Sequence, residues 1–400
     1  SLGSERFVVL DERFERANTN RYCLAYAMRF AQLTDRTFVA PSTTGGRLVD
    51  PNVSLLDVTD LYEVRRAAPF VRVMRTRDFM ASHPLVKRDD TWRADLASGG
   101  TAFDVAQVWA MPATTELQLA SQYGDIGAAV LMLRENRSQN LCERFRYHMP
   151  AVRATLYANL SQPTDIVAKY LDGIIHRFPK DFAVVQWRSL THNLMLFLEK
   201  KRPRKKATDW TDHHKTCAAG LKKGVWKLLG TRDIILFSDI HRGEGGYTEF
   251  DSAWKSWPDV DADRAKAAEM LAAEGWTNGD AMVARYMKQV PLFPGYGSDE
   301  GIHGMLVEHV CAVASSFVTC TENDCATCGR ANSQFTAMIL ELRNSSLDNA
   351  VRCGTHRSWN RDRRDRSCGK ATKGNGGGRE SSPSPVAAHN HGWLAGRRKL

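Results

Sequence analysis

The sequence has 400 residues, enough for two domains, and its hydrophobic content of 43% is typical of a globular protein. No run approaches the roughly 18 consecutive apolar residues of a membrane span. Residues 351–400 carry +9 of the net charge of +10, because twelve Lys and Arg residues there outweigh three acids. The rest of the chain is nearly neutral, so we expect no nucleic-acid partner for the folded body; such a function would reside in the tail.

The N-terminal segment has the pattern of one β-α-β unit of a parallel sheet. Phe7–Leu10 is a short apolar run with strand character, and apolar residues recur at helical spacing from about residue 20 to residue 33. Thr37–Ala40 predicts a second strand, which Pro41 ends. The polar stretch before the helix contains Asn18–Arg21 and is predicted to be a loop that caps the helix. A loop that leads into a helix N-terminus suits an anion.

Further apolar patterns divide the chain into two domains. They predict a strand and short helix at residues 53–62, a strand at residues 70–74, an apolar segment at residues 126–133 and helical spacing at residues 140–180. We place the boundary at about residue 165. This gives an N-terminal domain of residues 1–165 and a C-terminal domain of residues 166–348.

Two buried strands are the clearest elements of the second domain. Phe182–Trp187 is an apolar, partly β-branched run followed by Arg188, and Asp233–Phe237 is followed by Ser238 and Asp239. In open α/β sheets, ligands lie beyond the carboxyl ends of the strands. An arginine there can offer its guanidinium to a phosphate. The alternative is that Arg188 is structural and pairs with a nearby carboxylate.

The second domain closes with two helices, a strand and the start of a further helix. These are predicted at residues 260–275, 299–311, 314–318 and 333–343. Beyond residue 349, Gly, Ser, Pro and Arg dominate, which predicts a disordered basic tail over residues 349–400. The fold class predicted from the pattern is α/β, with two β/α domains in tandem.

Nine cysteines and four N-glycosylation sequons are compatible with a secretory lumen and disulfides. A C-x4-C-x2-C run at residues 320–328 also allows zinc, but no second pair lies at zinc-finger spacing, so disulfides are favoured. The pair His213–His214 favours a solvated loop over a metal site. The basic run of residues 199–206 favours a surface loop over a localisation signal, because Pro203 breaks any helix face.

Three segments resemble the motifs of the GDP-fucose protein O-fucosyltransferase family. Asn18–Arg21, with the helix that follows and Asp35–Pro41, resembles the family's Asn-rich loop and strand. Val184–Arg188 resembles its H-x-R motif, and Ser333–Thr336 with Ile339–Arg343 resembles its S-x-F-S/T block. The three segments occur in the family's order.

The resemblance implies a GT-B-like fold, in which two Rossmann-type domains face a cleft, the first on the acceptor side and the second holding most of the donor. It implies an inverting glycosyltransferase (a hexosyltransferase) that moves fucose from GDP-fucose to a hydroxyl of a protein or glycan acceptor, without a metal or other cofactor. It also implies the lumen of the endoplasmic reticulum or Golgi. We expect the signal or anchor to be missing, because the sequence begins at Ser1.

The resemblance also implies roles for single residues. Arg188 would hold the β-phosphate and stabilise the charge that develops there, and Glu15 is the candidate general base. The residues expected to bind GDP-fucose are Asn18, Asn20, Arg21, Gln186, Arg188, Asp239, Ser333, Gln334, Phe335 and Thr336. Simple helix capping is the alternative for the two asparagines, and a place in the core is the alternative for Phe335.

One residue departs from the family's pattern. Gln186 stands where the motif has a histidine. Glutamine can form hydrogen bonds but cannot titrate. The alternative function is therefore a catalytically silent homologue that binds a nucleotide sugar or a glycan.

Overall fold

The computed structural model of the protein describes residues 5–11, 17–44, 47–49, 56–64, 71–89, 91–99, 102–109, 121, 123–134, 160, 162–187, 233–238, 268–297, 299–319, 336, 339–340 and 342–343. This part of the chain is mixed α/β with two parallel sheets, which confirms the predicted class. The chain divides into two compact units. Unit 1 comprises residues 1–177 and 283–308, and unit 2 comprises residues 178–282 and 309–400. The predicted boundary, residue 165, is the first residue of a helix that ends at Ile175.

Unit 1 is built on a parallel sheet of five strands. Its elements up to residue 177 are β1 (Phe7–Leu10), α1 (Ala17–Leu33), β2 (Thr37–Ala40), β3 (Ser42–Thr44), β4 (Arg47–Val49), α2 (Val58–Leu61), β5 (Val73–Arg75), α3 (Thr76–Ser82), β6 (Leu85–Arg88), β7 (Thr91–Ala94), a 3-10 turn (Leu96–Ser98), β8 (Val105–Trp109), β9 (Val130–Arg134) and α4 (Asp165–Ile175). The parallel strands lie in the order β5-β2-β1-β9-β8. The predicted β-α-β unit is confirmed, because α1 joins the parallel neighbours β1 and β2.

Apolar side chains fix the central position of β1. All four of its residues are buried, as expected for a parallel strand covered on both faces. The antiparallel hairpin β6–β7 packs Trp92 into the core beside this strand. The buried members of that core are Phe7, Val9, Val39, Phe79, Leu85, Trp92, Val130 and Met132. Burial of this apolar surface stabilises the sheet by roughly 25 cal/mol per Å².

Unit 2 contains a second parallel sheet, of four strands. Among the described residues after 177, the elements with defined bounds are β10 (Ala183–Trp187), β11 (Ile234–Ser238), β12 (Thr277–Asn278), α5 (Gly279–Gln289), α6 (Glu300–Val313) and β13 (Ser316–Thr319). The strand order is β12-β11-β10-β13. The predicted strands at residues 182–187 and 233–237 are confirmed. Both helices α5 and α6 cross the division between the units, which falls after Met282 and after Glu308.

The prediction of a loop at Asn18–Arg21 is wrong. Helix α1 begins at Ala17, so these residues form its start. The reason is that the buried face of the helix begins with a charged residue. Arg21 is buried, as are Leu24 and Met28 at the helical spacings of three and seven residues. Counting only apolar residues therefore placed the helix start one turn too late.

We predict that His83 makes unit 1 sensitive to acid. The imidazole packs against the rings of Phe7, Phe79 and Phe103, with centroids 4.6, 5.3 and 5.1 Å away. Burial lowers the pKa of His83, although the charge of Glu5 opposes the change. The stability that comes from keeping His83 neutral is therefore fully present above the unfolded-state pKa of about 6.5 and is lost as the pH falls through the lower folded-state pKa.

The measurement is the free energy of unfolding as a function of pH. His83→Phe should reduce the loss of stability on acidification, whereas the exposed His176→Gln should leave the His83 contribution in place. An unchanged pH dependence in His83→Phe would contradict the prediction.

Candidate functional site

The strand order of the unit 2 sheet points to one place for a ligand. The chain runs outward from β10 through β11 to β12 and resumes on the other side of β10 with β13. In open α/β sheets, ligands bind beyond the carboxyl ends of the strands where this order reverses. Gln186, the next-to-last residue of β10, is paired in register with Thr319 of β13. It therefore lies at the reversal point.

A side-chain hydrogen bond joins two of the three predicted site segments. The hydroxyl of Thr336 donates to Oε1 of Gln186 at 2.6 Å, and both residues are buried. Thr336 is helical and lies 150 residues away from Gln186 in the sequence. The hydrogen bond joins an amide and a hydroxyl, which are both neutral, so neither group changes its charge with pH. Such a pair can fix the position of a ligand but cannot itself supply a titrating proton.

Arg343 holds the last helical segment against the end of α6. Its Nη1 donates to the carbonyl oxygens of Cys311, Ala312 and Ala314 at 3.0, 3.2 and 2.7 Å. A cation at these otherwise unsatisfied carbonyls also complements the helix dipole. Burial lowers the pKa of Arg343. Arg343, which ends the segment that resembles the S-x-F-S/T block, therefore fixes the position of the segment that carries Thr336.

A buried carboxylate that the sequence did not reveal lies at the carboxyl end of β11. Oδ2 of Asp280 accepts a hydrogen bond from the backbone N–H of Ser238 at 2.9 Å. Gly279 lets α5 approach this strand, because a Cβ there would come within 2.5 Å of the Phe237 ring and 2.7 Å of Ile235. The Gly-Asp pair at the start of a helix is the signal that could have predicted the contact.

Arg21, a predicted donor-binding residue in unit 1, forms a buried ion pair. Its Nη2 donates to Glu308 and to the hydroxyl of Tyr62, the latter at 2.7 Å, and the guanidinium lies over the Tyr62 ring. The side chains of Arg21 and Glu308 are each 1% exposed. Burial raises the pKa of Tyr62 to about 12; the charge of Glu308 also raises it and Arg21 opposes the change. A donor-binding role for Arg21 stays a prediction.

Other predicted site residues fall outside the part of the chain that the structure describes. They are Glu15, Arg188, Asp239, Ser333, Gln334 and Phe335. Arg188 directly follows the last residue of β10. Asn18 and Asn20 lie in the first turn of α1. The paired histidines, the basic run, the cysteine run at residues 320–328 and the tail also lie outside the described residues.

Across the ranges given above, no group of three or more His, Cys, Asp or Glu side chains is placed to hold a metal ion. Within the same ranges, every helix is too short or too polar to cross a bilayer.

The chain shares a distant structural likeness with solved fucosyltransferases. Neither a protein-family model nor a curated relative matches it. POFUT1 in complex with GDP-fucose is similar at 11% sequence identity with a TM-score of 0.45, and POFUT1 in complex with GDP is similar at 13% identity with a TM-score of 0.43. Each of these matches covers 86% of this chain and 96% of the POFUT1 chain. NodZ alpha-1,6-fucosyltransferase co-crystallised with GDP is similar at 14% identity with a TM-score of 0.39, and the match covers 84% of this chain and 92% of the NodZ chain. Similarity of this extent does not place the chain in a family.

We predict that the Arg21–Glu308 pair is a stability determinant of unit 1. Arg21→Met should lower the free energy of unfolding by about 3–5 kcal/mol, because it leaves the Glu308 carboxylate buried without its cation. Arg21→Met combined with Glu308→Leu should recover most of the loss. The exposed pair Arg72–Asp35, whose side chains are 60% and 89% exposed, is the matched control.

Denaturant unfolding of these variants checks the prediction. Arg72→Met should change the free energy of unfolding by about 1 kcal/mol or less. Equal losses of unfolding free energy in Arg21→Met and Arg72→Met would contradict the prediction that the buried pair contributes more to stability than the exposed pair.

We also predict that the Gln186–Thr336 bond orders the end of β10. Gln186→Ala should lower the free energy of unfolding by about 1–3 kcal/mol, because the buried hydroxyl of Thr336 loses its acceptor. The double variant with Thr336→Val should cost less than the sum of the two single changes. A double-mutant cycle of unfolding measures the coupling, and strictly additive effects would show that the two side chains do not interact.

Proposed function

We propose that the protein is a glycosyltransferase that moves fucose from GDP-fucose to a hydroxyl of a protein or glycan acceptor with inversion at the transferred carbon. The observation that carries this proposal is the Gln186–Thr336 hydrogen bond. It joins two segments that resemble fucosyltransferase motifs, and it does so at the strand-order reversal where α/β sheets bind ligands.

The donor is proposed to bind at this reversal point, with its diphosphate near the end of β10. Arg188 directly follows the last residue of β10 in the sequence, and the donor is proposed to bind beyond the carboxyl end of that strand. That position in the sequence supports the assignment of Arg188 to the β-phosphate. Ser333, Gln334 and Phe335 precede Thr336 and, with Asp239, complete the proposed donor contacts of unit 2. Donor binding by Asn18, Asn20 and Arg21 of unit 1 stays a prediction.

The proposed reaction is a single displacement. The acceptor oxygen attacks the anomeric carbon of fucose while the bond from that carbon to the β-phosphate oxygen breaks, and GDP leaves. Glu15 takes the proton of the acceptor hydroxyl. Arg188 stabilises the negative charge that develops on the leaving diphosphate. Transfer is proposed to need no metal, so a chelator should leave turnover unchanged.

The second candidate function is a silent homologue that binds a nucleotide sugar or glycan. The observation that favours it is the neutral character of the Gln186–Thr336 pair. Such a pair can retain a donor without taking part in proton transfer. Release of GDP from GDP-fucose in the presence of acceptors separates the two functions, since the silent homologue binds the donor and releases none.

The proposed location is the lumen of the secretory pathway. The four N-glycosylation sequons and the nine cysteines support this, since disulfides are common in oxidising compartments.

We predict that GDP raises the unfolding temperature more than UDP or ADP does, because specific binding stabilises the folded state.

Arg188→Ala should lower GDP-fucose turnover about a hundredfold, since one charge-stabilising contact contributes on the order of 3 kcal/mol to the transition state. The exposed Arg285→Ala is the matched control and should retain full turnover.

Thermal shift and the rate of GDP release are the two measurements. Equal stabilisation by all three nucleotides would reject a guanine-nucleotide donor. Turnover of Arg188→Ala equal to that of the control would reject the assignment of Arg188.

A further inference from the structure

A polar cluster lies at the carboxyl ends of the unit 1 strands. Nε of Arg134, the last residue of β9, donates to Oδ2 of Asp11, which directly follows β1, at 3.0 Å. Nη1 of Arg134 donates to Oε1 of Gln107 on β8 at 2.8 Å. The indole N–H of Trp92 donates to Oδ1 of Asp11 at 2.7 Å. We call these four residues the strand-end cluster.

The cluster joins three neighbouring parallel strands of the unit 1 sheet. Asp11 directly follows β1, Arg134 ends β9 and Gln107 lies on β8, and these strands are adjacent in the order β5-β2-β1-β9-β8. Open α/β sheets bind their ligands beyond the carboxyl ends of the strands. The proposed donor site also lies at the carboxyl ends of its strands, in the unit 2 sheet.

A contribution to the stability of unit 1 does not by itself account for this cluster. Replacing a largely buried ion pair by apolar residues is often neutral or stabilising, because the charges lose their hydration. Another buried arginine of unit 1, Arg36, binds the backbone carbonyls of Ala128 and Ile126 and so satisfies chain groups that need a donor. Arg134, by comparison, binds the side chains of Asp11 and Gln107.

The cluster also keeps an edge toward solvent. The side chains of Arg134 and Asp11 are 18% and 9% exposed, against 1% for each member of the Arg21–Glu308 pair. The carboxylate, guanidinium and amide are planar groups, and each is held in place by another. Such preorganised groups suit the adjacent hydroxyls of a sugar, which donate to a carboxylate and accept from a guanidinium.

We propose that the strand-end cluster binds a carbohydrate residue of the acceptor. This assignment of acceptor class rests on the proposed function, in which the fucose is received by a hydroxyl. Arg134 and Asp11 contact the sugar, Gln107 contacts it or holds Arg134, and Trp92 keeps the Asp11 carboxylate in place.

The test is saturation-transfer NMR with the methyl glycosides of glucose, galactose, N-acetylglucosamine and xylose. At least one glycoside should bind the wild-type chain. Gln107→Ala should weaken that binding about tenfold, which corresponds to the loss of one or two hydrogen bonds. The paired variant Asp11→Asn with Arg134→Gln leaves neither charge alone and should abolish binding. Arg93→Gln changes an exposed arginine of β7 and is the control.

Unfolding temperatures and GDP-induced shifts are recorded on the same samples. Undiminished glycoside binding in folded Gln107→Ala and in the folded paired variant would overturn the proposal. The proposal would also be overturned if the wild-type chain bound GDP but none of the four glycosides. This holds as well if such a chain bound a Ser/Thr peptide. Glycoside binding that depends on the cluster, in a chain that does not bind GDP, would reject the proposed function and support the sugar site.

Discussion

The order of the parallel strands is the constraint on which the rest of the structure depends. In each sheet a buried strand, β1 or β10, comes first in sequence and lies inside the sheet rather than at its edge. The later strands must then be added on both sides of it. The carboxyl ends of these inner strands lie on the edge at which open α/β sheets bind ligands, and in the unit 2 sheet the strand order also reverses there. Polar side chains at these ends, Gln186 in one sheet and Asp11 in the other, can meet a ligand without breaking the core.

Buried arginines hold several helices and loops of the two units in place. Arg21 pairs with Glu308, Arg36 binds the loop that precedes β9, and Arg343 binds the carbonyls at the end of α6. All three lie within segments that resemble fucosyltransferase motifs. A guanidinium has five donors in a fixed fork, which suits a set of backbone carbonyls as well as a phosphate. Some of the resemblance therefore reflects how the chain folds, and Arg188 is the arginine proposed to hold the β-phosphate of the donor.

Local patterns allowed much of the fold to be predicted from the sequence. Apolar runs such as Val184–Val185 identify buried strands, and helical spacing identifies α6. The hairpin β6–β7 was missed because its residues alternate without a strong turn signal. The start of α1 was misplaced because the residue that begins its buried face, Arg21, is charged. Long-range partners, such as Arg134 for Asp11 over 123 residues, depend on strand order, which no local pattern contains.

The hydrogen bond between Gln186 and Thr336 affects which catalytic steps a transferase built on this chain could carry out at the donor and which at the acceptor. A histidine at this place could exchange a proton near the diphosphate, whereas the amide and hydroxyl present here cannot. Catalysis at the donor would then rest on fixed charge, which stabilises a leaving diphosphate without any proton moving. Proton transfer would be confined to the acceptor hydroxyl and its base. Gln186 is thus compatible with activity, provided that position and charge, rather than acid catalysis, make GDP a leaving group.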